Sequence, residues 1–173
     1  MDYIYINYLG MNNYFDFLME KRGFKKNEYQ KLYFLIDNKK NHTFKKIEIL
    51  KNKIELNKKY EIVENGFCEL CKNKKVHSIH YENNKIKISP GKAKNFNYYF
   101  ICQHFIYCID ECIKKNQNKK IIIEFEFEGY KLKDMIKNID ITKSLSELIK
   151  NCYFEKINSI QIHNLPIYLK PLI

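Results

Sequence analysis

In KKIIIEFEFEGY, residues 119–130, apolar and acidic side chains alternate: Ile121, Ile123, Phe125 and Phe127 fall on one side, Glu124, Glu126 and Glu128 on the other. A repeat of two places neighbours on opposite faces of a strand, so this segment predicts a strand with one buried and one solvated face. VHSIHYENNKIKIS, residues 76–89, predicts a β-hairpin turning at Glu82–Asn84. NYYFIC (97–102) and INSIQIH (157–163) read as further strands. Helical spacing dominates elsewhere. After Gly10 it links Tyr14, Phe15, Leu18 and Met19; after Asn27, a candidate cap, it links Tyr29, Leu32, Tyr33 and Ile36. IYCIDECIKKN, YKLKDMIKNI and SLSELIKNCY also predict helices, the last with Ser144 and Glu147 at capping-box spacing. FKKIEILKNKIEL (44–56) fits either period and is read as a strand, in keeping with the KKYEIVENGF that follows it. NLPIYLKPLI, residues 164–173, is expected to be an extended tail.

That order predicts an α+β protein. Residues 1–57 form a helical and strand region, 58–116 a cysteine-rich βββα unit, and 117–173 a β-α-α-β segment packed on it. The chain has 173 residues, enough for one globule with its own core. No apolar run reaches the ~18–20 residues of a membrane span. The opening MDYIYINYLG lacks a basic stretch and a small-residue cleavage site, so a cytoplasmic location is expected.

The net charge of +11 has two sources. Lys, Asn, Ile, Tyr and Phe are abundant, Arg22 is the sole arginine, Ala93 the sole alanine, and tryptophan is absent, which is the imprint of A/T-rich codons. The remainder fits a polyanionic partner. Non-specific RNA contact through lysines is expected, without the bidentate guanine reading that arginine provides.

GFCELCKNKKVHSIH, residues 66–80, brings Cys68, Cys71, His77 and His80 into one window. With no secretory signal, metal ligation is expected of the cysteines before disulfides. A structural Zn2+ takes four soft ligands in a tetrahedron. Cys68 and Cys71 form a C-x2-C knuckle; thirty residues later Cys102 and Cys108 form C-x5-C. A knuckle, a hairpin and a strand leading into a helix is the treble-clef order. The local alternative closes the site with His77 and His80, and His104 or Cys112 could replace a late ligand. Cys108, Cys112 and Cys152 also suit small core positions. There is no His-Glu-x-x-His, no Gly-rich phosphate loop, and SPGK (89–92) is too short to be one. The carboxylate row of Glu124, Glu126 and Glu128 reads as a solvated face. A non-enzymatic protein is expected: a zinc-stabilised binding protein or, alternatively, a structural or assembly protein.

Two resemblances add to this. GFCELC, the hairpin and YYFICQHFIYC, over residues 65–113, resemble the zinc-binding domain of FusB-type fusidic-acid-resistance factors, which bind elongation factor G. That resemblance implies Cys68, Cys71, Cys102 and Cys108 as ligands of a structural zinc, and a translational GTPase or the ribosome as partner. NKIKISPGKAKNF with its following helix, KKIIIEFEFEGY, and SLSELIKNCYFEKINSIQIHNLPIYLKPLI are similar to the CRAL-TRIO (Sec14-like) domain. Phe154, between Tyr153 and Glu155, stands where that family has proline. This second resemblance implies a lipid or small-molecule carrier.

Overall fold

The alternating segment is a strand, the third of four. The computed structural model describes residues 15–36, 43–62, 77–93, 97–116 and 119–167. Helix α1 (15–21) is followed by α2 (Lys26–Gln30), a 3-10 turn (Tyr33–Leu35) and the long α3 (Thr43–Lys59). The hairpin β1 (Ile79–Glu82) and β2 (Lys85–Ile88) comes next, then α4 (Tyr98–Lys115), β3 (Ile121–Glu126), α5 (Leu132–Lys137) and α6 (Ile139–Leu148). A π-helical turn (Ile149–Tyr153) and a 3-10 turn (Phe154–Lys156) lead into β4 (Ile157–His163). The protein is α+β, with one sheet in the order β1-β2-β3-β4.

β1 and β2 are antiparallel and turn at Asn83, whose φ of 55° is in the left-handed region that asparagine tolerates. β2 with β3, and β3 with β4, are parallel, the geometry that needs a crossover between strands. Helix α4 makes the first crossover, α5 and α6 the second.

Registered partners put Ile79, Ile86, Ile88, Ile121 and Ile123 on one face, all buried. Against this face packs α4, whose Phe105, Ile106, Ile109 and Cys112 are sealed from solvent. Each fully buried isoleucine or phenylalanine contributes about 1.5–3 kcal/mol of transfer free energy. Asn97 starts α4 by accepting from the Phe100 N–H at 3.4 Å, and Lys114 and Lys115 complement the dipole at its other end.

Three readings of the sequence change here. NYYFIC is the first turn and a half of α4, not a strand, so the unit between residues 77 and 116 has two strands and a helix. FKKIEILKNKIEL belongs to α3. Its buried set is Ile47, Ile49, Leu50, Lys53 and Ile54, a helical stripe that decides between the two periods the segment allowed. Ser144 and Glu147 lie within α6 rather than at a helix start, so they form no capping box. A smaller shift moves the start of the second helix: it runs from Lys26, with Lys25 at the cap, rather than from a cap at Asn27.

At the C-terminal ends of β2 and β3 two turns touch. A Cβ built on Gly91, in the 3-10 turn Pro90–Lys92, would lie 2.2 Å from the Glu128 carbonyl oxygen and 2.8 Å from the Tyr130 nitrogen. Glycine is required there for that approach. The SPGK segment is therefore a packing turn. On its other side Gly129 supplies a φ of 74°.

Candidate functional site

Cys102 and Cys108 lie on the same helix, six residues apart. Six residues advance about 9 Å along the axis and end about 120° around it. Two thiolates on one tetrahedral zinc sit within roughly 4 Å of each other, given Zn–S bonds of about 2.3 Å. The helix therefore keeps these two from sharing an ion. Cys102 is fully buried, and burial raises its thiol pKa against the lowering effect of bonds from Tyr60 and Tyr98. Cys108 lies 3.6 Å from His104 Nε2. His104 Nε2 is also 2.7 Å from the Ile79 carbonyl, tying α4 to β1. Cys112 meets the Asn83 carbonyl at 3.6 Å, and burial raises its thiol to about 11. Cys152 is raised to about 11 for the same reason. His77 is buried against His104, ring centroids 5.7 Å apart, while His80 is half-exposed on β1. Cys68 and Cys71 lie outside the described residues. Among the described residues no group of three His, Cys, Asp or Glu side chains could hold a metal ion.

A charged cluster sits deeper. Lys53 of α3 is wholly buried; its Nζ lies 2.7 Å from Asp110 Oδ2 of α4 and donates to Asn57 Oδ1 at 2.7 Å. Tyr153 OH, from the π-helical turn, donates to the other Asp110 oxygen at 2.8 Å, and the Lys53 ammonium lies 5.5 Å from the Tyr153 ring centroid. Burial, then the Asp110 charge, holds the Tyr153 phenol well above its ordinary pKa. Every member is engaged, with Lys53 and Tyr153 fully buried, so the cluster is a clamp joining three segments of the chain rather than a reacting centre. Sequence reading missed it, because a lone Lys and a lone Asp in helices look solvated.

Beside the clamp a groove of about 240 Å³ opens between α3, the start of α4 and α6. Tyr60 OH donates to Tyr98 OH at 2.9 Å, and Tyr98 OH to Ser144 Oγ at 2.8 Å. Ser144 thus receives a tertiary hydrogen bond. The exposed Glu55, Lys59 and Glu147 border the groove.

The two faces of the sheet differ chemically. His80, Lys87, Glu124 and Gln161 form one cross-strand row on the face away from α4, and Lys85 pairs with Glu124. The Lys85 bond is the largest of the effects that hold the Glu124 carboxyl below its usual range. Glu126 accepts from Asn164 Nδ2 at 2.9 Å and from the Glu128 N–H at 3.0 Å, and Glu128 pairs with Lys92 at 3.1 Å. The carboxylate row is thus engaged with lysines and amides.

The α4-bearing face is covered only in part. Ile160 is registered with the fully buried Ile123, and Ile162 with Phe125, yet Ile160 is 49% and Ile162 39% exposed. At the same end of the sheet, α5 and the start of α6 expose Leu132, Ile136 and Ile139. The ends are held together by the Phe127 N–H donating to the His163 carbonyl at 3.1 Å. An exposed apolar strip beside buried neighbours on the same face is a candidate surface for an apolar ligand. Its signal in the sequence was the alternation of Ile160 and Ile162 with Ser159 and Gln161 in β4.

Comparison with known families matches residues 66–173, more than half of the chain, to the CRAL/TRIO domain. No curated protein matches the chain. The zinc-finger, treble-clef and translation-factor reading is corrected accordingly: the FusB-like segment from residue 66 onward lies inside the CRAL/TRIO match, and Cys102 and Cys108 are helix-bound core thiols.

Proposed function

The chain belongs to the CRAL/TRIO domain family, and from that membership we propose that it is a non-enzymatic carrier of a lipid or similar apolar molecule. The ligand lies on the uncovered strip of the sheet at β4, near α5. One observation carries this placement. Ile160 and Ile162 continue the row of the buried Ile123 and the partly buried Phe125, yet they are 49% and 39% exposed. Covering such side chains contributes roughly 25 cal/mol per Å² of apolar surface removed from water. The opposite face, lined by Lys85, Lys87, Glu124 and Gln161, offers an acyl chain nothing comparable.

Native mass spectrometry of the purified full chain tests the reading. A co-purified or added lipid is expected to stay bound, and Ile160→Asp combined with Ile162→Asp is expected to release it while the far-UV circular dichroism is unchanged. Undiminished lipid binding by that double variant would refute the placement. Failure of the wild-type chain to hold any lipid would refute the function.

A further inference from the structure

We propose that β4 pairs edge to edge with β4 of a second copy of the chain, joining two four-stranded sheets about a two-fold axis at Gln161. β4 ends the sheet among the described residues. His163 accepts from the Phe127 N–H, so its backbone groups turn toward β3. In a parallel pair the bonding side alternates from residue to residue along the strand. Ser159 and Gln161, registered with Ile122 and Glu124, therefore bond β3 too, and Ile160 and Ile162 direct their N–H and C=O groups out of the sheet. Such an outward row is a template for another strand, and natural edges are blunted by charge or proline. β4, INSIQIH, holds no lysine, arginine, aspartate, glutamate or proline. β1, the other end strand, is only four residues long and ends in the exposed Glu82.

The occupant is a second copy because this edge complements itself. In antiparallel pairing centred on Gln161, each Ile160 meets the partner's Ile162, giving about four backbone hydrogen bonds and two isoleucine–isoleucine contacts. The exposed surface of both isoleucines is thereby covered on the α4 side, while Gln161 meets Gln161 and Ser159 meets His163 on the other. At a net charge of +11 two copies repel, so contact is favoured at a neutral strand, and β4 is the one described strand without a lysine or carboxylate. A charged peptide would find no counter-charge there. The pairing does not rest on the lipid-carrier reading, although it would set two ligand strips side by side.

Sedimentation equilibrium of the full chain tests it. A dimer is expected at micromolar concentration, and it should tighten as salt rises, because salt screens the repulsion between the basic bodies and spares the apolar contact. Gln161→Lys sets two ammonium groups face to face at the axis and should weaken the dimer about tenfold, with bound lipid unchanged by mass spectrometry. Mixing Gln161→Lys with Gln161→Glu should restore a dimer of one chain of each kind. Under mild oxidation Gln161→Cys should form a disulfide-linked dimer, since the two positions oppose each other at a Cα separation of about 4.5 Å. Ser159→Cys, displaced from the axis, should not. A wild-type monomer overturns the proposal. So does a dimer that Gln161→Lys leaves intact, or one that Ser159→Cys links as readily as Gln161→Cys. A dimer in a chain that holds no lipid upholds the pairing and refutes the carrier function alone; a monomer that holds lipid refutes only the pairing.

Discussion

Lys53 and Asp110 meet at 2.7 Å, with the lysine side chain entirely removed from solvent. Lys53 precedes the segment matched to the CRAL/TRIO domain, whereas Asp110 and its second partner Tyr153 lie within it. The matched segment thus buries a carboxylate whose counter-charge comes from outside it. Helix α3 is part of the same folding unit for that reason.

Removing one charge should cost far more than removing both. Lys53→Met is expected to lower the unfolding free energy by about 3–5 kcal/mol, because Asp110 stays buried with Tyr153 alone. Lys53→Met with Asp110→Leu should recover most of this loss. Urea unfolding of both single variants and the double variant measures the coupling. Additive losses would mean the pair is not a unit.

Gly91→Ala should destabilise by about 1–3 kcal/mol, since the added methyl overlaps the Glu128–Tyr130 backbone and something must shift. Gly23→Ala carries only the conformational cost of its φ of 84°, as no atom lies within 4 Å of a Cβ there. Thermal unfolding of the two side by side separates steric from conformational cost.

Acid should weaken the fold below neutrality. Burial, then the neighbouring His104, lowers His77 from 6.5 to about 4, and burial lowers His104 as well. Both histidines are neutral in the folded protein, so the unfolded chain takes up protons first as pH falls. Stability is complete above about pH 6.5 and declines toward pH 4, by roughly 1–3 kcal/mol for His77. His77→Phe should flatten that decline in urea titrations at pH 7.5 and pH 4.5. An unchanged slope would place the acid sensitivity elsewhere.

The strands were legible where one face is buried and the other charged. The alternation in β3 and the hairpin of β1 and β2 survive because Ile86, Ile121 and Ile123 point at α4 while Lys85, Lys87 and Glu124 point away. The start of α4 was not legible. Tyr98, Tyr99 and Phe100 favour strands by local preference, and the Asn97 cap with the packing of Tyr98 and Tyr99 against Tyr60 makes them helical. The cysteines misled for a related reason: a spacing counts residues, whereas ligation depends on where the backbone sends them. The apolar strip at β4 was legible as a strand, but its exposure depends on how far α4 reaches across the sheet, a tertiary fact.

The π-helical turn at Ile149–Tyr153 holds one more residue than an α-turn would. That surplus sets the phase of everything after it. With one residue deleted there, a regular helix would swing Tyr153 away from Asp110. Unless the loop absorbed the slip, β4 would enter the sheet one position out of step. Ser159 and Gln161 would then sit on the greasy side and Ile160 and Ile162 among the salt bridges, so a single codon separates this strand from its inverted form.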